Sequence, residues 1–418
     1  MERMRVEKHV IRESDPFYRM LDNFCFMSKN LYNHANYIVR QEFINKDKWV
    51  RYGELDRILK ADKKYPDYAD MPTAQCAQQT LRVLDQNWKS FFQSIRDWAV
   101  HKEKYKGRPK LPKYLKKDGR FELVLTNQNC RMKNGKVCFP KVFGGFTITP
   151  VFVKKKNFHS FRQVRLIPHK NRIVAEMVYQ IKTEEPKEDN KRYIGIDIGV
   201  ENLAAVCNNT GKPAFAVNGK PLKSINQYYN KQISHYRELC RRMNKRDYSH
   251  RMDILTEKRR VRIEDYLHKA SRKIVDYCIQ NRVNTIVIGK NKEWKQESRL
   301  SKQENQHFVQ IPFARFIEMI EYKAEEYGIA VILTEESYTS GTSFIDGEEP
   351  VKGNYNKSRR VKRGLFVSNE GWKINADLNG AYQILRKVFP VQWDRGWAFH
   401  PAVVNMRRPM PNSKRNKI

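Results

Sequence analysis

Carboxylates in the second half of the sequence occupy positions where acidic side chains can support metal-dependent chemistry. Asp197 ends the short apolar segment YIGID, Glu335 and Glu336 end the apolar segment 329–336, and Asp377 begins the last helical pattern. An ionised carboxylate on a buried strand is costly unless a metal or a hydrogen-bonding network compensates it. Two divalent ions held by such acids activate water and stabilise the leaving oxygen in phosphodiester hydrolysis. Magnesium prefers oxygen ligands, so this chemistry requires no His or Cys.

Each acid by itself has a simpler interpretation: Asp377 as a helix cap, and Glu335 and Glu336 as a surface strand end. Their order along the chain favours a common site. In a sheet of the ribonuclease H type, the central first strand, a neighbouring parallel strand end and the start of the last helix each supply one acid. We therefore predict that Asp197, Asp377 and one of Glu335 and Glu336 are catalytic residues that bind Mg²⁺. Because side chains alternate along a strand, only one of the two glutamates should be a ligand.

Two glycines flank the first acid. Gly195 and Gly199 stand two residues on either side of Asp197. Because glycine adds no side chain, we expect this strand to let a large anionic ligand approach the backbone closely.

The overall charge predicts a polyanionic partner. The chain has 418 residues, with 81 Lys and Arg against 46 Asp and Glu, for a formal net charge of +35. Basic residues spread along the whole sequence indicate an extended, salt-dependent nucleic-acid contact. Each basic segment, taken alone, is also explained as a solvated linker or a solvated helix face. The predicted contacts are Lys106, Arg108, Lys110, Lys113, Arg241, Arg242, Arg259 and Arg260.

Other sequence features bear on the compartment. No run of about 18 apolar residues could form a membrane-spanning helix, so no membrane partner is expected. Residues 1–30 lack an apolar signal segment. The seven cysteines are scattered without a C-x-x-C pair, which is typical of reduced thiols in the cytosol.

The pattern of apolar residues divides the chain into two halves of mixed α and β structure, separated by the acidic stretch 182–191. The first half reads as a strand, two amphipathic helices and a set of strands that form a small antiparallel barrel or sheet. The second half reads as three strands, two long basic helices, and then alternating strands and helices. The predicted strands lie at 1–10, 193–198, 203–208, 214–217, 285–289 and 329–336, and a further set of strands lies within 121–181. The predicted helices lie at 17–43, 73–98, 225–245, 255–281, 313–327 and 375–388.

Sequence motifs give a specific resemblance. The motifs are YKGRPKLPKY (105–114), GIDIGVENLAAV (195–206), ESYTS (336–340) and NADLNGA (375–381). With them the chain resembles, over nearly its whole length, the transposon-encoded TnpB proteins, which are relatives of the type V CRISPR effectors and the Fanzor proteins. The resemblance implies a multidomain α+β fold, whose expected parts are a wedge-like β-barrel (1–15 and 110–185), an inserted helical recognition domain (16–109), an RNase H-like (RuvC) nuclease domain (192–390) with an inserted target-nucleic-acid-binding loop (337–374), and a basic C-terminal tail (391–418).

The resemblance also implies a function. Proteins of this kind bind a noncoding guide RNA and cleave double-stranded target DNA beside a short adjacent motif, and base pairing reads the sequence. We expect an RNA-guided endonuclease of a transposable element that uses two Mg²⁺ ions, which Mn²⁺ can replace. It would act as a monomeric ribonucleoprotein in the cytoplasm of a prokaryote, associated with the nucleoid. The alternative is a nuclease-inactive RNA-guided DNA-binding repressor, and a strand-joining transposase is a more distant interpretation.

This sequence departs from the family pattern at two places. Most members have the second catalytic Glu at the end of the strand that corresponds to 285–289, where this chain has Gly289. Glu336 resembles the relocated Glu of a subset of the family, so the resemblance implies that Asp197, Glu336 and Asp377 are the catalytic ligands of Mg²⁺. Glu335 is the second choice for the Glu, and Glu293 is a third candidate. The second departure is the 337–374 loop, which lacks the four cysteines that usually bind zinc. We therefore expect no zinc and predict that other contacts or nucleic acid order this loop.

Overall fold

The computed structural model divides the chain into two compact units, Met1–Lys182 and Thr183–Ile418, which we describe separately. The residues that it describes are 1–244, 247–290, 310–362, 364–389 and 402–406.

Helices α1 (Tyr18–Lys46), α2 (Tyr52–Ala61) and α3 (Ala74–Val100) belong to the first unit. Thr73 caps α3, because its hydroxyl accepts a hydrogen bond from the Cys76 amide at 3.2 Å. The apolar stripe of α3 is fully buried only in its first half, with Leu81, Leu84 and Trp88 in the core. Phe91, Ile95 and Trp98 in its second half are only partly buried.

The strands of the first unit form two sheets. A four-stranded antiparallel sheet has the order β1-β7-β6-β2, and a small three-stranded sheet has the order β3-β4-β5. Asn134 and Gly135 both have positive φ and join β3 to β4, a sequence and backbone geometry typical of a tight hairpin. The hydrogen-bonded ladders of residues 1–182 thus form two open sheets and no closed ring. The strands are β1 Glu2–Arg12, β2 Leu123–Thr126, β3 Arg131–Lys133, β4 Lys136–Cys138, β5 Thr147–Ile148, β6 Phe158–His169 and β7 Arg172–Lys182.

A six-stranded sheet with the order β12-β11-β8-β9-β10-β15 forms the centre of the second unit. Its central strand β8 is parallel to β11, which is parallel to the edge strand β12, so the carboxyl ends of these three strands share one edge. On its other side β8 pairs with β9 in antiparallel orientation. The strands are β8 Tyr193–Asp197, β9 Asn202–Asn208, β10 Phe215–Asn218, β11 Thr285–Gly289, β12 Ala330–Thr334, β13 Leu365–Val367, β14 Lys373–Asn375 and β15 Ala402–Val404.

Helices cover both faces of this sheet. Ile194 and Ile196 of β8 pack in a core with α5 and α6, whereas Tyr193 packs in a separate core with α7. Since side chains alternate along a strand, Asp197 lies on the same face as Tyr193, toward α7. The helices are α4 Lys220–Asn244, α5 His250–Gln280, α6 Phe313–Glu325 and α7 Ala376–Val388.

Gly195 serves helix packing. A Cβ at this position would lie 2.5 Å from the Ala381 carbonyl oxygen and 2.9 Å from the Leu385 Cβ, both in α7. The expectation that Gly195 leaves room for a ligand is therefore wrong, since the backbone of α7 fills that space.

Candidate active site

Asp197 lies at the end of β8 against the first turns of α7. Its Oδ2 would be only 2.7 Å from a Cβ on Gly380, so the absence of a side chain there lets the carboxylate sit against the helix. Although the residue keeps some exposed surface, its carboxyl group is surrounded by protein. Burial raises the pKa of Asp197 well above its usual value, and the charges of Glu336 and then Asp377 raise it further. The three predicted acids are thus close enough for Glu336 and Asp377 to interact electrostatically with Asp197.

Glu336 reaches this site from the edge of the sheet. It follows β12, which β11 separates from β8. The expectation that the second acid comes from a strand next to β8 is therefore wrong. Gly289 ends the intervening strand, and a Cβ there would lie 2.7 Å from Cγ and 2.9 Å from Oε1 of Glu336. The Glu336 side chain therefore extends over the end of β11, into the space that a side chain at position 289 would fill.

Glu335 takes a different direction. It is exposed and accepts a 2.6 Å hydrogen bond from the Ser337 hydroxyl, whereas Glu336 is partly buried. Glu336, and not Glu335, is among the charged residues that raise the pKa of Asp197. Burial lowers the pKa of Lys387, and the charges of both glutamates oppose this shift. The two side chains take different directions, as the alternation along a strand predicted, and the geometry favours Glu336.

Asp377 lies in the first turn of α7, as predicted. The Asn375 side chain caps the helix by accepting 3.0 Å hydrogen bonds from the amides of Asp377 and Leu378. The Asp377 carboxylate has two partners: Asn202 donates to Oδ2 at 2.8 Å and Arg360 donates to Oδ1 at 3.1 Å. Arg360 also lowers the pKa of Asp197, so one cation compensates part of the negative charge of the cluster.

The donor set suits magnesium chemically, since carboxylate oxygens come together from three separate elements. Within the described part of the chain, however, no three His, Cys, Asp or Glu side chains are close enough to hold an ion in this conformation. The pairing of Asp377 explains part of this, because both of its oxygens already accept hydrogen bonds. Arg360 would have to move away before Oδ1 could bind a cation.

Glu348 organises residues 337–374, which we call the insertion. Its carboxylate accepts hydrogen bonds from the Ser343 amide at 2.8 Å, from Asn369 at 2.9 Å and from Arg359 at 2.5 Å. These hydrogen bonds and the Arg359 charge lower the pKa of Glu348 against the opposing effect of burial. One partly buried carboxylate thus ties together three parts of the insertion.

Contacts with α7 hold the insertion on the rest of the unit. The Phe344 ring stacks on Tyr382 with centroids 4.3 Å apart. Asn379 accepts from the Phe344 amide at 2.9 Å and donates to the Thr342 carbonyl at 2.8 Å. The Glu348 carbonyl accepts from Gln383 and Arg386, both at 3.0 Å. Contacts within the protein, which the sequence analysis named as one possibility, therefore order the described part of the insertion.

The predicted nucleic-acid contacts fall into two groups. In residues 1–244, Lys106, Arg108, Lys110 and Lys113 make no side-chain hydrogen bond or ion pair. The arginines of α4 and α5 have partners in their own unit. These pairs are Arg241 with Asp247, Arg242 with Glu238 at 2.6 Å, Arg260 with Glu257 at 2.5 Å, and Arg259 with Asn226 at 2.7 Å.

Sequence reasoning missed several residues that support the acids, namely Asn202, Arg360, Glu348 and Asn379. Asn202 and Asn379 belong to motifs that were singled out, so their motif position could have drawn attention to them. Arg360 and Glu348 had no comparable signal, because each is one of several charged residues in a polar segment. Glu293, the third candidate for the second acid, lies outside the described residues. None of the helices in the described ranges is long and apolar enough to cross a membrane.

Family models match two parts of the chain, which lie almost entirely in the second unit. Residues 176–295 match the OrfB_IS605 family, described as a probable transposase, and residues 313–384 match the TNB domain of Cas12f1-like proteins. The first match includes Asp197 and Gly289, and the second includes Glu336, Asp377 and the insertion.

Individual relatives agree with the family models. The chain is 24% identical over 413 residues to the TnpB-like protein ORF457 of Acidianus two-tailed virus, covering 89% of this chain and 84% of that protein. It is 30% identical over 226 residues to the CRISPR-associated endodeoxyribonuclease Cas12f2 of a Micrarchaeota archaeon, covering 51% of this chain and 40% of that protein. Among solved structures, Cas12f1 in complex with sgRNA and target DNA is 16% identical with a TM-score of 0.36, which is too low to support an argument, and covers 91% of this chain and 98% of that chain. By its sequence, the chain is similar to the TnpB and Cas12f proteins, which confirms the resemblance indicated by its motifs.

Proposed function

We propose that this protein is an RNA-guided, Mg²⁺-dependent DNA endonuclease, and that Asp197, Glu336 and Asp377 are its catalytic acids. The observation that carries the proposal is the convergence of these acids from β8, the end of β12 and α7 around one carboxyl group. Burial beside two other carboxylates is unfavourable for Asp197 in its charged form. A site that binds cations would explain why the fold tolerates this arrangement.

Asp197, Glu336 and Asp377 would hold the metal. Two bound divalent ions supply an activated water and stabilise the leaving oxygen of a phosphodiester. Glu336 replaces the acid that most relatives have at the position of Gly289. Gly380 and Gly289 leave room for the two carboxylates, and Asn375 fixes the position of Asp377 at the helix start.

The remaining residues would orient the acids and bind substrate. Asn202 holds one oxygen of Asp377 at 2.8 Å and so sets the rotation of that carboxylate. Arg360 is paired with Asp377 at 3.1 Å but can leave it, because its side chain is partly exposed on the insertion. When it leaves Asp377, its guanidinium can contact a phosphate of the bound strand.

RNA and DNA are the proposed partners of the remaining surface. The charge of +35 suits a guide RNA and a DNA duplex together. Lys106, Arg108, Lys110 and Lys113 are the best candidates for phosphate contacts, since they have no partner within residues 1–244. We assign the strands of the first unit to the wedge-like domain, its helices to the recognition domain, and residues 192–390 to the RuvC-like domain.

A paired binding and cleavage assay tests the function. The protein is co-expressed with its flanking element DNA, the copurifying RNA is sequenced, and a plasmid that carries the matching target is incubated with the complex and Mg²⁺. We expect wild type to bind and cut, and Asp197→Asn to bind without cutting. A wild-type complex that binds its target but leaves it uncut would favour the repressor alternative, and a protein that copurifies with no RNA would contradict RNA guidance.

A further inference from the structure

A cavity of about 560 Å³ lies in the first unit between α1, α3 and the basic segment 105–114. Its base is apolar and its rim is basic. The apolar residues are Phe43, Phe91, Phe92, Ile95 and Leu111, and the basic ones are Arg40, Arg108, Lys110 and Lys113. We call it the aromatic cavity.

Three phenylalanine rings at its base remain partly exposed. The ring centroids of Phe91 and Phe92 lie 5.2 Å apart, and those of Phe43 and Phe92 lie 5.5 Å apart. Trp88, one turn earlier on α3, is fully buried against the same group. Partly exposed aromatic rings retain apolar surface that a flat ligand could cover.

The basic rim is fixed to the helices. The Pro112 carbonyl accepts hydrogen bonds from Asn36 at 3.1 Å and from Arg40 at 2.9 Å. Asn33 donates to the Leu115 carbonyl at 3.0 Å and accepts from the Leu115 amide at 2.8 Å. The backbone of the 112–115 segment is therefore held on α1, which argues against a freely moving linker. A ligand at this part of the rim, which includes Lys113, therefore has less conformational entropy to remove on binding.

The charges around the cavity favour an anion. None of its lining residues, all within residues 1–244, is acidic. Arg108, Lys110 and Lys113 make no side-chain ion pair in that range. An apolar ligand would use the rings and leave the cations unpaired, and inorganic phosphate would use the cations and leave the rings exposed. A nucleotide of a single strand satisfies both, since its base stacks on aromatic rings while its phosphates meet Lys and Arg.

We propose that the aromatic cavity holds one unstacked base of the bound guide RNA, with the flanking phosphates on Arg108, Lys110 and Lys113. RNA is the chosen occupant because, in the proposed function on which this inference rests, it is the nucleic acid that stays bound between targets. The base would stack on Phe91 or Phe92 and anchor the RNA to the helices of the first unit.

Ultraviolet crosslinking of the complex with its copurifying RNA tests the inference. We expect RNA-linked peptides that contain Phe91 or Phe92. Phe91→Leu keeps the apolar volume but removes the ring, and should weaken binding of that RNA by about fivefold to a hundredfold. Phe158→Leu is the matched control, because Phe158 is a partly buried ring of the same core outside the cavity, and it should leave RNA affinity unchanged.

Three results would overturn the inference. The first is RNA crosslinks that map only outside α1, α3 and the 105–114 segment. The second is wild-type RNA affinity in a folded Phe91→Leu variant. The third is a loss of affinity of Phe91→Leu for single-stranded DNA of the same sequence with no loss of affinity for the RNA. RNA that binds normally to Phe91→Leu contradicts the cavity assignment alone, whereas a wild type that binds no RNA contradicts the proposed function as well.

Discussion

Glu336 fills the space in which a side chain at Gly289 would stand. A Cβ built on Gly289 would lie 2.7 Å from Cγ of Glu336. Gly289 ends β11 opposite Thr334 of the parallel strand β12, so the glutamate comes from one strand further out and crosses the end of β11. A side chain at position 289 would therefore occupy the space that the Glu336 side chain fills.

Gly289→Ala should be destabilising because of Glu336. The new methyl would meet Glu336 and also the Ile384 Cδ1 at 2.5 Å, and overpacking of this kind costs about 1–3 kcal/mol. In a Glu336→Ala background the cost should fall by roughly 0.5 kcal/mol or more, since residues in contact couple by at least this amount. Urea unfolding of the four proteins in the cycle measures the coupling.

Gly107→Ala is the control for this cycle, because no atom lies within 4 Å of a Cβ at Gly107. It should have the same effect with and without Glu336. Strict additivity between Gly289→Ala and Glu336→Ala would contradict the shared space.

Removing Arg360 should tighten binding of divalent metal. Arg360 pairs with Asp377 at 3.1 Å and therefore competes with a cation for the same oxygen. Arg360→Gln should raise Mn²⁺ affinity on the order of tenfold, because a unit charge about 4 Å from another contributes about 1 kcal/mol or more even in water. Isothermal titration calorimetry in the absence of DNA measures the affinity. Lys357→Gln removes an exposed cation of the same segment and should have little effect; equal affinities of wild type and Arg360→Gln would show that Arg360 does not compete.

Glu348 should be essential for order in the insertion. Glu348→Ala leaves the Ser343 amide and the partly buried Arg359 without their acceptor, and such charged hydrogen bonds contribute about 1.5–3 kcal/mol each. We expect faster hydrogen exchange at Ser343 and faster proteolysis within residues 337–374. The exposed neighbour Glu349→Ala serves as control. Slow exchange in Glu348→Ala that is lost only when a zinc chelator is added would contradict both this account and the expected absence of zinc.

Lys323 gives a pH dependence of stability. It is buried in α6 and donates to the His268 carbonyl at 2.8 Å and the Ser271 hydroxyl at 2.6 Å. Burial lowers the pKa of Lys323 to about 8, so between this pH and its usual pKa of 10.5 the folded protein binds fewer protons than the unfolded chain. Stability conferred by this group therefore increases as the pH rises through that window.

The comparison with Lys323→Met isolates this contribution. The free energy of unfolding of wild type relative to the variant should increase by about 1–2 kcal/mol between pH 8 and 10.5, allowing for partial solvent access. Denaturant unfolding at several pH values measures the difference. A constant difference between the two proteins across this window would mean that the lysine keeps its usual pKa.

Local patterns predicted the elements that carry the acids. The apolar run before Asp197 and the helical pattern that begins at 375 depend on nearby residues, and both elements form where expected. Alternation along the strand also predicted that Glu335 and Glu336 point in different directions. These features follow from short-range sterics and hydrogen bonding, so one sequence is enough to predict them.

Contacts between distant segments were not predictable in the same way. The edge position of β12, the packing of α7 on Gly195 and the Arg360–Asp377 pair each join residues that are far apart in sequence. The partly exposed rings of α3 could not be predicted either, because the apolar residues of this helix have the same spacing whether they face a core or a cavity. Such features depend on how complete elements pack, which the periodicity of one segment does not determine.

The most direct test of the account is cleavage by two neighbouring glutamate variants. Complexes of wild type, Glu336→Gln and Glu335→Gln are incubated with Mg²⁺ and matched target DNA, and binding of the DNA is measured in parallel. We predict that all three bind, that Glu335→Gln cuts like wild type, and that Glu336→Gln loses on the order of a hundredfold or more in rate, because a ligand of the catalytic metals is removed. Wild-type cleavage by Glu336→Gln would contradict the assignment of Glu336 as the second acid.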